Sequence, residues 1–234
     1  MDKKFILSKG DLKKINNFKD DKIDGFETDE IKNLYTEYFN KDIIEYRIRE
    51  CIDEEFYYLD LSNMEINDKQ LNEYLKNEEI KKILKKIRLL DLSNNILKKN
   101  PIFVNEYSNI KVLNISYNEI EGIIEFNNLI ELDCTNNEID GIISNTLINI
   151  TASNNKILNV YSPKVSTLII DNNIIEELPK FKELKYLDCS TTKIKKIDYI
   201  KSLRDLICST KLISPEFNVK KIKLINKIYY ISLL

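Results

Sequence analysis

The pattern LxLxxN, in which L stands for an aliphatic or small apolar residue, returns in phase through most of the chain. No other feature constrains the fold as much, because a recurring motif is the signature of stacked structural units. The clearest copies begin at Leu90, Leu113, Leu132 and Leu168 and place Asn at 95, 118, 137 and 173. Weaker copies begin at Ile150, with Asn155, at Leu187, with Thr192, and at Leu206, with Lys211. An outlying first copy begins at Leu59, with Met64 in the Asn position. After an opening step of 23 residues from Leu90, the steps between first apolar positions are 19, 18, 18, 19 and 19. Alternate residues of a strand face the same side, so the two apolar positions point inward and the residue between them points out. An inward Asn persists only where its amide is hydrogen-bonded.

On these residues the chain resembles the leucine-rich-repeat family, in a short variant, over residues 56–218. The resemblance implies an α/β solenoid of about eight rungs built on a curved parallel β-sheet. Its Asn column would satisfy the backbone of the bend after each strand. A repeat of 18 or 19 residues leaves too few for a regular return helix, so the convex side should be mostly non-helical, with isolated 3₁₀ turns at most. Ile123, Ile142, Val160, Leu178 and Ile197 hold a constant offset from the strand, which predicts inward positions with any extra residue just beyond them. Gly122 and Gly141 occupy the same place in successive repeats, where a tight bend is expected.

A solenoid must cover its terminal rungs, so the flanks read as caps. Residues 1–55 form an N-terminal helical cap, with Ile31, Leu34, Tyr35, Tyr38 and Phe39 on one helical stripe and Ile44, Ile48, Cys51 and Ile52 on a second. The first 26 residues carry little periodicity and read as loosely held. Between Leu59 and Leu90 the spacing predicts further helix over residues 68–87, broken near Asn77. Ile222, Leu224, Ile228 and Ile231 predict closing strands within 219–234.

Composition removes much chemistry. There is no His, which excludes Ser-His-Asp and Cys-His catalysis and His-ligated metals. The 4 glycines are scattered, so there is no phosphate-binding loop. Cys51, Cys134, Cys189 and Cys208 form no CxxC pair. The last three fill the second apolar position of the motif, where a small hydrophobe suits the core. No cofactor and no metal is expected. With 36 basic and 38 acidic residues the formal net charge is -2, which lacks the basic footprint of a nucleic-acid or anionic-membrane binder. The start MDKKFILSKG lacks the apolar run of a secretory signal, and no stretch reaches the roughly 18 apolar residues of a membrane span, so the expectation is an intracellular, cytoplasmic protein that is not secreted. The bias towards Ile, Lys and Asn is similar to that of repeat proteins of AT-rich genomes, including giant DNA viruses of amoebae and some protists.

The residues that remain for function are those facing out of the strands. The candidate binding face comprises Asp91, Asn114, Glu131, Asp133, Thr151, Asp171, Tyr186, Asp188 and Asp205. A column of Ser62, Ser93, Ser116, Thr135, Ser153, Asp171, Ser190 and Ser209 is read as the next outward position. Function in the family resides in this exposed face, which implies a non-catalytic module that binds a partner protein, here through a basic segment. A structural component of a larger particle and a regulatory subunit of an enzyme are the alternatives.

Overall fold

The computed structural model describes residues 43–52 and 57–208, together with the backbone of 219–225 and 228–233. Residues 1–42, with the first helical stripe, lie outside the described residues, as do Ser209 and Lys211.

Every LxL copy forms a short strand at the register its spacing dictates. Numbered in chain order, these are β1 (Tyr58–Asp60), β2 (Leu89–Asp91), β3 (Val112–Asn114), β5 (Glu131–Asp133), β7 (Asn149–Thr151), β9 (Thr167–Ile169), β10 (Tyr186–Asp188) and β11 (Asp205–Cys208). They pair in parallel in that order, aligning Leu59, Leu90, Leu113, Leu132, Ile150, Leu168, Leu187 and Leu206 in one buried row. Strands β12 (Val219–Ile225) and β13 (Ile228–Leu233) add an antiparallel pair, with β13 against β11. The second apolar row, including Leu92, Ile115, Cys134, Ala152, Ile170, Cys189 and Cys208, is also buried. Each fully buried aliphatic side chain contributes roughly 2 kcal/mol.

Buried amides hold the rungs together. Asn137 Oδ1 accepts from the backbone N–H of Ile120 at 3.0 Å, in the preceding rung, while its Nδ2 donates to the carbonyls of Ile115 at 2.9 Å and Cys134 at 3.1 Å. Asn95, Asn118, Asn155 and Asn173 repeat this arrangement, each closing the bend of the rung before it. The residue immediately before each column position is left-handed, with φ between +52° and +58° at Asn63, Asn94, Tyr117, Asn136, Asn154, Asn172 and Thr191. Asn tolerates that conformation better than most L-residues, which explains the Asn-Asn pairs of the sequence.

The return side is extended, as its length requires. A second parallel sheet contains β4 (Glu121–Glu125), β6 (Glu138–Ile143) and β8 (Asn159–Tyr161), and a 3₁₀ turn at Ile102–Glu106 occupies the step from Leu90 to Leu113. Two expectations fail here. Ile123 is 63 % exposed and Ile124 is buried in its place, because the extra residue of that repeat falls before the inward position, where the register shifts between Gly122 and Ile123. The two glycines therefore do different jobs. Gly122 has φ +80°, whereas a Cβ on Gly141 would lie 3.2 Å from the Asn159 carbonyl oxygen of β8. Ile142, Val160 and Ile197 are buried as expected, and Leu178 is half-buried.

Ahead of the sheet, α1 (residues 43–52) buries Ile44, Ile48 and Cys51. Ile52 is exposed instead of joining them, since it lies about 80° round the helix from Ile44. Helices α2 (Asp68–Tyr74) and α3 (Glu78–Leu84) are separated at the expected break, with Asn67 and Asn77 as their N-caps. An ion pair between Arg47 and Asp60 ties α1 to β1.

Candidate functional site

The outward positions of the strands form rows that run across the sheet, because the pairing is in register. The residue after each first apolar position gives Asp60, Asp91, Asn114, Asp133, Thr151, Ile169, Asp188 and Ile207, all half-buried. The residue before it gives Tyr58, Leu89, Val112, Glu131, Asn149, Thr167, Tyr186 and Asp205, of which Glu131 is exposed and the others half-buried. The structure thus brings Asp91, Asn114, Glu131, Asp133, Thr151, Tyr186, Asp188 and Asp205 onto one face. Asp171 belongs to a further column beside it.

That further column is not the free outward row that alternation predicts. Ser62, Ser93, Ser116 and Ser190 are buried, and Thr135, Ser153 and Asp171 are half-buried, because the chain has already begun to turn. Its backbone explains the acidic row. Oδ1 of Asp60, Asp91, Asp133 and Asp188 accepts from the N–H two residues on, at Ser62, Ser93, Thr135 and Ser190, over 2.8 to 3.0 Å. Asn114 does the same for Ser116. These side chains close the ends of their own strands. Rungs with Thr151 and Ile169 lack such a cap, and there the Ser153 hydroxyl donates to the Asp171 carboxylate.

The free capacity of the row lies in its second oxygens. Asp91 Oδ2 accepts from Asn114 Nδ2 at 3.1 Å and from the Tyr58 hydroxyl at 3.4 Å. Oδ2 of Asp133 and of Asp188 takes no hydrogen bond among the described residues. Burial pushes the Asp188 carboxyl above the ordinary carboxylate range, against the two bonds from Ser190, and the Asp171 charge adds to the rise. Burial likewise raises the Tyr186 hydroxyl, helped by Asp188, Asp205 and Asp171.

A third row escaped the sequence reading. Two positions before each first apolar residue stand Tyr57, Arg88, Lys111, Ile130, Ile148, Ser166, Lys185 and Arg204. The N–H of each from Lys111 onward donates to the carbonyl of the one before at 2.8 Å, so the row is continuous. Its constant offset was the available signal. The strict alternation of a strand obscured it, because residues at both of the two positions before the core residue face away from the core.

Catalytic equipment is sparse. Cys51, Cys134, Cys189 and Cys208 are buried, unpaired thiols. Burial pushes Cys134 far above the ordinary thiol range, and the neighbouring Cys208 thiol and burial together raise Cys189. Among the described residues no group of three His, Cys, Asp or Glu side chains could hold a metal ion. No helix among them is long and apolar enough to cross a membrane.

No family model and no curated protein matches the sequence. Solved structures do match. The leucine-rich repeat domain of LRIM1 superposes with a TM-score of 0.50 at 22 % identity, over 56 % of this chain and 45 % of that one. This chain has a leucine-rich-repeat fold. YopM from Yersinia enterocolitica WA-314 aligns at 22 % identity over 51 % of this chain and 37 % of its own, with a TM-score of 0.33. The leucine-rich repeat domain of APL1B aligns at 13 % identity over 78 % of this chain and 68 % of its own, with a TM-score of 0.43. The leucine-rich-repeat solenoid described here therefore matches less than half the length of the first two chains.

Proposed function

We propose that the leucine-rich-repeat solenoid is a non-catalytic module that binds a partner protein on its strand face, in an intracellular setting. The observation that carries this reading is the in-register row of half-buried carboxylates, in which Asp133 and Asp188 use Oδ1 within their own strand ends and keep Oδ2 for a partner. A basic segment is the complementary chemistry, and its association would weaken with salt.

The strand-end bonds dictate the test. Asp133→Arg would remove a cap as well as a charge, so its melting temperature would fall for reasons unrelated to binding. Asp133→Asn and Asp188→Asn keep the Oδ1 acceptor and remove the charge, and Glu131→Lys changes an exposed position. In affinity capture from the native source followed by quantitative mass spectrometry, these variants should lose the partner that the parent retains. Lys195→Glu with Lys196→Glu, on a return segment, should retain it. The opposite pattern would move binding to the return side. A structural role in a larger assembly would then lead, and the exposed Ile123, Ile143 and Tyr161 of the second sheet are the feature that favours it.

A further inference from the structure

The strand face carries two rows of opposite charge, and their separation and spacing describe a partner more closely than acidity alone. Arg88, Lys111, Lys185 and Arg204 stand in the row at the N-terminal ends of the strands, while Asp60, Asp91, Asp133 and Asp188 stand three residues further along. At roughly 3.3 Å per residue the rows are about 10 Å apart. Among the described residues no ion pair joins one row to the other; Asp60 is instead paired with Arg47. Between and beside them lie the partly exposed apolar side chains Leu89, Val112, Ile130 and Ile148, with the carboxylates of Glu131 and Asp205 in the intervening row at the other rungs.

We propose that this strip takes an α-helix of the partner, lying along the sheet and across the strands. One flank of that helix carries Lys or Arg against the acidic row, and the other carries Asp or Glu against the basic row. The proposal rests on the reading of the strand face as the docking surface. A helix with its side chains is about 10–12 Å wide, so lying over the strip its two flanks reach the two rows. Its pitch of about 5.4 Å runs close to the strand spacing of about 4.8 Å, so one turn meets one rung and the two drift by a full rung only after about eight. An extended segment repeats on one side every 6.7 Å or so and drifts by a rung within about three. A partner with a single sign of charge would be attracted by one row and repelled by the other.

Three labelled helical peptides of equal length and equal apolar stripe test this by fluorescence anisotropy at low salt. The first has a Lys flank and a Glu flank, the second Lys on both flanks, the third Glu on both. The mixed peptide should bind at least about ten-fold more tightly than either other. Lys185→Glu with Arg204→Glu should remove that preference, as should Asp133→Asn with Asp188→Asn, which keep the strand-end acceptors, in variants whose circular dichroism matches the parent. A mixed peptide that binds no better than the others overturns the two-row inference. If the Lys-flanked peptide binds best and only the acidic-row variants weaken it, the helix with two charged flanks is wrong while strand-face docking stands. If a peptide binds and neither pair of variants alters its affinity, both fall.

Discussion

The rungs from Leu90 to Asn173 and those from Leu187 onward share a register on the strand side and differ on the return side. In the first group every column position is Asn, most of the left-handed residues before it are Asn, and the second sheet lies beside the rungs of β3, β5 and β7. In the second group the column residue Thr192 makes one bond, from its hydroxyl to the Cys189 carbonyl at 2.8 Å, and the left-handed residue is Thr191. Pro179, which has no N–H to donate, stands on the return segment between β9 and β10, the first beyond the end of the second sheet. A groove of about 550 Å³ opens there between Glu176–Phe181 and Lys195–Ile200. Parallel pairing of LxL strands thus continues without the amide column, whereas each of the three return strands follows one of its Asn residues, Asn118, Asn137 or Asn155.

The largest effect that separates the two regions should come from the column itself. Asn137→Ala leaves the Ile120 N–H and the Ile115 and Cys134 carbonyls without their partner in a buried place, and should cost about 3 kcal/mol in urea unfolding. Thr192→Ala removes a single bond and should cost about 1 kcal/mol. Equal losses would mean that the amide column adds nothing beyond one ordinary hydrogen bond per rung.

A smaller contrast concerns the left-handed column. Alternation places Asn136 outward, so its replacement by Ala should be nearly free. Its φ of +55° says otherwise, and Asn136→Ala should cost about 1 kcal/mol while Asn136→Gly costs a few tenths at roughly that scale. In the back region Thr191 holds the same φ of +55° with a β-branched side chain. Thr191→Asn should therefore stabilise by about 1 kcal/mol and raise the melting temperature by about 2–4 °C. No gain would show that the local turn accommodates Thr191 without strain.

Legibility in the sequence followed the same boundary between strict and loose constraint. The register of all eight LxL strands could be read because a one-residue slip would turn a buried row outward. The inward residue of the third return segment could not, since the extra residue in that repeat falls between the buried Ile120 and Ile124 and only the backbone reveals it. The site was half legible. The acidic row was placed on the strand face, but its Oδ1 bonds belong to the ends of its own strands, and that dual use depends on a turn that begins one residue earlier than alternation implies. The basic row was legible in principle at its fixed offset, yet Ile130, Ile148 and Ser166 interrupt its charge.

The smallest effect distinguishes a strand-end cap from a charge held for a partner, and Asp188 is the place to measure it. Burial raises its carboxyl above the ordinary value near 3.9, so the folded state holds the proton more tightly than the unfolded chain does. For a raised carboxyl the contribution to stability is most favourable below the unfolded value and declines as pH rises through that value to the folded one, then stays level. Asp188→Asn keeps an acceptor for the Ser190 N–H and hydroxyl while removing the titration. The stability of the parent relative to the variant, from urea unfolding at a series of pH values, should therefore fall on passing upward through the carboxylate range. Solvent screening keeps the difference under about 0.5 kcal/mol near neutral pH, where the variant should be at least as stable as the parent. If the variant is instead clearly less stable there, the carboxylate strengthens its strand-end bonds by more than burial costs it. Asp188 would then be held in place by the fold itself, and the case for a charge reserved for a partner would rest on Asp133 and Glu131.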